Sequence, residues 1–178
     1  MGEPIPKGLR DEAYSGTMFN PITLRPCEVR LDDIAHALAQ KPCYLGHGSQ
    51  FYSIAQHCVN FSEIVEPDQA LYALLSVSFL AYMPNLPPSM KPQMKGWNEI
   101  IMHVLRTVRE GLNVPRRLDV TKEMLEKLDR LIVTERQYLG LTPKKGVEPL
   151  AMRLEGWDWR FAEQQFLQRY ADITRGKL

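Results

Sequence analysis

His57 is the side chain in this sequence best placed to do chemistry. It follows Ile54 by three residues and precedes Phe61 by four, on the flank of an apolar stripe. An imidazole there is either a hydrogen-bonded core group or a ligand to a divalent ion that activates water. The other candidate metal ligands are Asp129, on a later helix beside Leu125 and Ile132, and His47, in the loop Gly46-His47-Gly48. Each has a plainer reading, as a salt-bridged helix acid and a surface loop residue. Glu135 is in phase with Leu128, Leu131 and Leu139 and reads as a half-buried acid paired with an arginine, structural rather than catalytic. His36 and His103 have no partners at a metal spacing. The stretch YALLSVSFLAYMPNLPPSMK, Tyr72 to Lys91, carries no acid at all.

The elements that must position these groups follow from periodicity. Residues 1–30 are rich in Pro and Gly and predict an extended arm with turns, packed over the rest. LDDIAHALAQ predicts a short helix burying Ile34, Ala35 and Leu38, with Asp32 and Asp33 near its positive end. Between 50 and 65, Phe51, Ile54, Cys58, Phe61 and Val65 recur at three- and four-residue steps, the period of an amphipathic helix. A helix opened by Pro67 and running to about Met83 is apolar almost all round, so the expectation is a central helix covered on every side. Three more follow. Met94 to Leu112 faces inward with Trp97, Ile100, Ile101, Val104, Leu105 and Val108. Val120 to Leu139 does so with Met124, Leu125, Leu128, Leu131 and Ile132, and the last helix offers Phe161, Phe166 and Leu167. Trp157-Asp158-Trp159 reads as packing or an oligomer contact. No segment alternates long enough to demand a strand. The class is all-α, as a single domain of 31–178 behind the arm of 1–30.

Composition narrows the function. Twenty-two basic against 21 acidic residues give a formal charge of +1, which does not favour nucleic acid as a partner. Cys27, Cys43 and Cys58 lack C-x-x-C spacing, and their odd number fits a reducing compartment better than a disulfide framework or structural zinc. The longest uncharged apolar run, Ala70 to Met83, is shorter than the roughly 18 to 20 residues that span a bilayer, and the N-terminal stretch lacks a signal-peptide run. The expected location is cytoplasmic, with no membrane partner.

The motifs Tyr14-Ser15-Gly16, Asp32 to Leu38, Gly46, Phe51 to His57 and Ala73-Leu74-Leu75 to Lys91 form one frame. It continues through Thr134-Glu135-Arg136 and Ala162, Phe166-Leu167 and Arg169-Tyr170. Over roughly 14–172 this frame resembles the HD-domain metal-dependent phosphohydrolases, in particular a compact phage, prophage and bacterial group related to nucleotide phosphohydrolases. The resemblance implies a helical bundle with a divalent metal such as Mn, Co or Mg. The ion is held by a His on one core helix, a His-Asp pair on the next and a later Asp. Carried over, the first His is His57, while the pair falls on Ser76 and Val77. An acid one turn on falls on Leu80, a further Asp on Asn85, and the last ligand slot on Asp129 or Leu128. The loop that is commonly Arg-rich in relatives reads Cys43 to Gln50, without an arginine.

Val77 and Leu80 have no lone pairs and Ser76 is a poor neutral ligand, so a hard cation would lose most of its donors. Burying valine and leucine there makes a drier helix instead. The expectation is a catalytically degenerate HD-domain protein with no metal and no cofactor. Its vestigial pocket, formed by Tyr52, His57, Ser76, Asn85 and Lys91, would bind a nucleotide-like molecule, or its surface a protein partner, in a homo-oligomer. The alternative is an active nucleotide or nucleoside-phosphate phosphohydrolase with a centre rebuilt from His57, His47 and Asp129 or Glu135.

Overall fold

The computed structural model describes residues 9–114 and 120–176. Within them the chain is mostly helical: α1 Leu31–Gln40, α2 Ile54–Ile64, α3 Ala70–Leu75, α4 Trp97–Gly111, α5 Lys122–Tyr138 and α6 Trp159–Thr174. A two-residue antiparallel pair, β1 Asp11–Glu12 with β2 Met18–Phe19, is the one small sheet among the described residues. No described helix is long and apolar enough to cross a membrane.

The described part of the arm is built into the body. Phe19, Leu24 and Val29 join the main core with α1, α2 and α6. Asp33, at the first turn of α1 and only 3% exposed, accepts hydrogen bonds from the Ser15 amide at 2.7 Å and hydroxyl at 2.8 Å. The Tyr14-Ser15-Gly16 motif is thus a clasp. A second clasp forms at Gly111, where a Cβ would lie 2.7 Å from both the Pro26 carbonyl oxygen and Val29 Cβ, so no side chain fits. Residues 1–8 of the expected arm lie outside the described residues.

The central helix is α2, which packs on α1, α3, α5 and α6 and buries Ala55 and Cys58 completely. It starts at Ile54, with the Ser53 hydroxyl accepting from the Gln56 amide at 3.0 Å. The earlier start expected from periodicity fails because the preceding residues are extended. Cys43 N donates to Tyr52 O at 2.8 Å and Ile54 N to Lys41 O at 2.9 Å. Phe51 is therefore 42% exposed and not on the buried stripe.

The helix expected over 67–83 is also not continuous. Pro67–Gln69 is a 3-10 turn, α3 ends at Leu75, Val77 leaves helical geometry (φ −118°, ψ 22°), and Ser78–Ala81 is again 3-10. Two interactions favour the break. Ser76 turns its hydroxyl back onto the Ala73 carbonyl at 2.8 Å. Lys41 Nζ donates to the carbonyls of Leu80 and, at 3.2 Å, of Met83, which takes up acceptors that the interrupted helix leaves free. Burial holds the Lys41 ammonium below its ordinary pKa.

In α5, Met124, Leu131 and Glu135 are buried, but Leu125 is 52% exposed. One residue is a 100° step around the helix, enough to take Leu125 off the face that Met124 buries. Phe161 departs from the expected packing in the same way. It lies in the first turn of α6, 43% exposed, edge-on to Trp157 at 5.2 Å, while Ala162 and Phe166 face the core.

Candidate functional site

A cavity of about 530 Å³ opens between the 43–47 loop, α2, the segment after the α3 break, the proline-rich turn and α5. Its apolar walls include Ile54, Val77, Phe79, Leu80, Leu86 and Ile132, and its polar lining includes His47, His57, Asn85, Lys91 and Arg136. Among the described residues, no Asp or Glu lines it. The break after α3 shapes one wall, because leaving helical geometry at Val77 sets Val77, Phe79 and Leu80 together on the cavity.

Behind the wall lies Glu135, with no exposed surface. Its Oε1 accepts from the Tyr52 hydroxyl at 2.8 Å, its Oε2 from the Tyr44 hydroxyl at 2.5 Å, and His57 Nδ1 lies 2.9 and 3.0 Å from the two oxygens. Asn60 donates in turn to the Tyr52 oxygen at 2.7 Å. The acid is therefore fully buried and paired with His57, not half-buried and paired with an arginine. A buried carboxylate needs several donors to offset its desolvation, and this one has them.

The network sets the state of its members. Burial alone would push the His57 imidazolium pKa down. The charge of Glu135 and the hydrogen bond to it outweigh that, and the pKa stands above its ordinary value of 6.5. Burial and then the Glu135 charge push both tyrosines well above the ordinary phenol range, so they stay protonated donors. The same two causes raise Cys43 and Cys58, which disfavours their thiolate forms. With Nδ1 on Glu135, the other ring nitrogen of His57 has no protein partner among the described residues.

Of the residues singled out from sequence, His57, Asn85 and Lys91 meet in this cavity, with His47 exposed at its edge. Tyr52 stands behind it as a support for Glu135, and Ser76 does not line it, since its hydroxyl is spent on Ala73. Asp129 is elsewhere: its side chain, 46% exposed, pairs with Lys144 at 2.7 Å. Leu128 packs in a second apolar cluster with Met124 and Leu131. Among the described residues, no three His, Cys, Asp or Glu side chains come together as a group able to hold a metal ion. The donor set at His57 does not fit one either, because its one carboxylate is saturated by other donors and the facing wall is Val77 and Leu80.

Against known proteins, the chain matches no family model. It is 27% identical over 130 residues to the uncharacterized protein YfdR of Escherichia coli (strain K12), an alignment covering 73% of this chain and 72% of that one.

Arg136 was not singled out as a site residue. It lines the cavity with its guanidinium 5.5 Å from the centre of the Tyr44 ring and its Nε donating to the Thr142 carbonyl at 2.6 Å. Its one sequence signal was adjacency to Glu135. Tyr44 likewise gave no signal, because it reaches the site through left-handed backbone at Tyr44 (φ 52°) and Leu45 (φ 57°), rare for side chains of that size.

Proposed function

We propose that this chain is a catalytically degenerate relative of the HD-domain phosphohydrolases. In this reading it binds a small organic anion of nucleotide-like size without hydrolysing it. The observation that carries the reading is the cavity itself: about 530 Å³, apolar walls, a few convergent polar groups and, among the described residues, no lining carboxylate. Pockets of that volume and lining are typical of small-molecule sites. The HD-domain resemblance supplies the reason such a cavity lies beside His57, and the Ser76-Val77 and Leu80 replacements supply the reason it lacks hydrolytic groups. The rebuilt-centre alternative needs Asp129 or Glu135 as a ligand. Asp129 is tied to Lys144, and Glu135 is enclosed by Tyr44, Tyr52 and His57.

The test is a thermal-shift and calorimetric screen of the purified chain against nucleoside monophosphates, with a parallel assay for phosphate release in Mn²⁺. Saturable stabilisation without turnover supports the reading. Turnover that is lost in His57→Ala would replace it with the enzyme.

A further inference from the structure

We infer that the cavity is a receptor for an amphiphilic anion. Arg136 and Lys91 hold a single carboxylate or phosphate-monoester head, and the wall of Ile54, Val77, Leu80 and Ile132 takes an apolar or aromatic body. This inference deepens the binding reading above and rests on it.

The cations carry the first half. Some basic side chains of the described structure are paired with acids, as Arg10 and Arg25 are on Glu28, Lys127 on Glu66 and Glu123, and Lys144 on Asp129, and others, such as Arg130 and Arg169, are spent on carbonyl or hydroxyl oxygens. Among the described residues, Arg136 and Lys91 have no carboxylate partner, and the cavity that both line contains no acid. Glu135, behind the wall, forms no direct ion pair with either, and its oxygens are taken by Tyr44, Tyr52 and His57. Arg136 is also pre-oriented. Stacking over Tyr44 and the bond from Nε to Thr142 O fix the plane of the guanidinium and leave its two terminal nitrogens uncommitted. A fixed guanidinium fork is suited to two oxygens of one planar or tetrahedral anion. A cation beside apolar walls meets a lower effective dielectric than one in open water, which strengthens its attraction for an anion.

The walls carry the second half. Val77 and Leu80, with Ile54 and Ile132, offer no hydrogen-bond partner to the body of a ligand, and beside the two cations the polar side chains at hand are few, among them Tyr44, His47, His57 and Asn85. A body with many polar edges would lose its water there without replacement, which penalises it. A compact head group suits Arg136 and Lys91, with the His57 ring nitrogen that is unpartnered among the described residues as a further donor on the same cavity.

Calorimetry on the 178-residue chain tests this with 4-phenylbutyrate, phenyl phosphate, the neutral 4-phenylbutyramide, inorganic phosphate and thymidine monophosphate. The two aryl anions are expected to bind roughly 10- to 100-fold more tightly than the amide or inorganic phosphate. Their ratio tells which head group is preferred. Arg136→Gln and Lys91→Met should each weaken aryl-anion binding about tenfold or more; Lys91→Met, on a half-buried turn residue, guards against a folding effect at Arg136. Equal affinity for amide and acid, or unchanged binding in both variants, overturns the inference. Binding of thymidine monophosphate with none of the aryl anions overturns it while leaving the binding reading intact; binding of no probe removes both.

Discussion

Two buried carboxylates show how differently this chain uses the same group. Glu28, 4% exposed in the arm, is held by two guanidiniums and one backbone amide: Arg25 donates through Nε at 3.0 Å, Nη2 at 2.6 Å and its backbone N–H at 2.9 Å, and Arg10 through its guanidinium. Glu135, 0% exposed on α5, is held by two phenols and one imidazole. Guanidiniums are charged at any ordinary pH, so the Glu28 cluster is a lock that closes the arm on itself. The Glu135 donors belong to groups that line or back the cavity, so the same kind of burial there fixes the shape of a site. Buried charge in this molecule is structural in one place and organising in the other.

The largest expected effect separates the two. Glu135→Ala should destabilise the chain by about 3–5 kcal/mol, since it strands the buried Tyr52 hydroxyl, the half-buried Tyr44 hydroxyl and an imidazole at once. Glu28→Ala should lose only about 1–2 kcal/mol, because water can reach Arg25, 63% exposed, once the partner is gone. Urea denaturation of both variants checks the order, and equal losses would remove the contrast. Next in size is Tyr52→Phe, expected to lose about 1–2 kcal/mol through the bonds to Glu135 and Asn60, with unchanged cavity dimensions.

A pH scan sharpens the contrast further. Burial would raise the Glu28 pKa, but its bonds to Arg25 and Arg10 outweigh that and hold it at about 2 against an ordinary 4.5. Its folded pKa is depressed, so its stabilisation is fully present above about 4.5 and is lost as pH falls towards 2. Melting temperature should fall across that window, and less steeply in Glu28→Gln. The smallest expected effect is that of Asp129→Asn, under about 0.5 kcal/mol and without influence on ligand binding, because an exposed pair with Lys144 is worth little.

Much of the fold was legible in sequence for a physical reason. Where a 3.6-residue period coincides with first-turn acids, as at Leu31–Gln40, or with a cap, as at the Asp158-capped start of α6, local signals and packing agree. They disagree at 67–83, where composition reads as one helix but a lysine from another element, Lys41, captures carbonyls at the break. The candidate site was legible only in part. His57, Asn85 and Lys91 carry chemistry in their residue types and meet at the cavity. The burial of Glu135 depends on Tyr44 and Tyr52, 91 and 83 residues away, and Arg136 owes its orientation to Tyr44 and Thr142. No local pattern encodes partners as distant as Tyr44 and Tyr52.

The central claim is that the cavity works with its own side chains and not with a divalent ion. Titrating Mn²⁺ into chelator-treated protein, with His57→Ala alongside, tests it most directly. The account predicts no one-to-one binding that depends on His57; a stoichiometric Mn²⁺ site abolished in His57→Ala would contradict it.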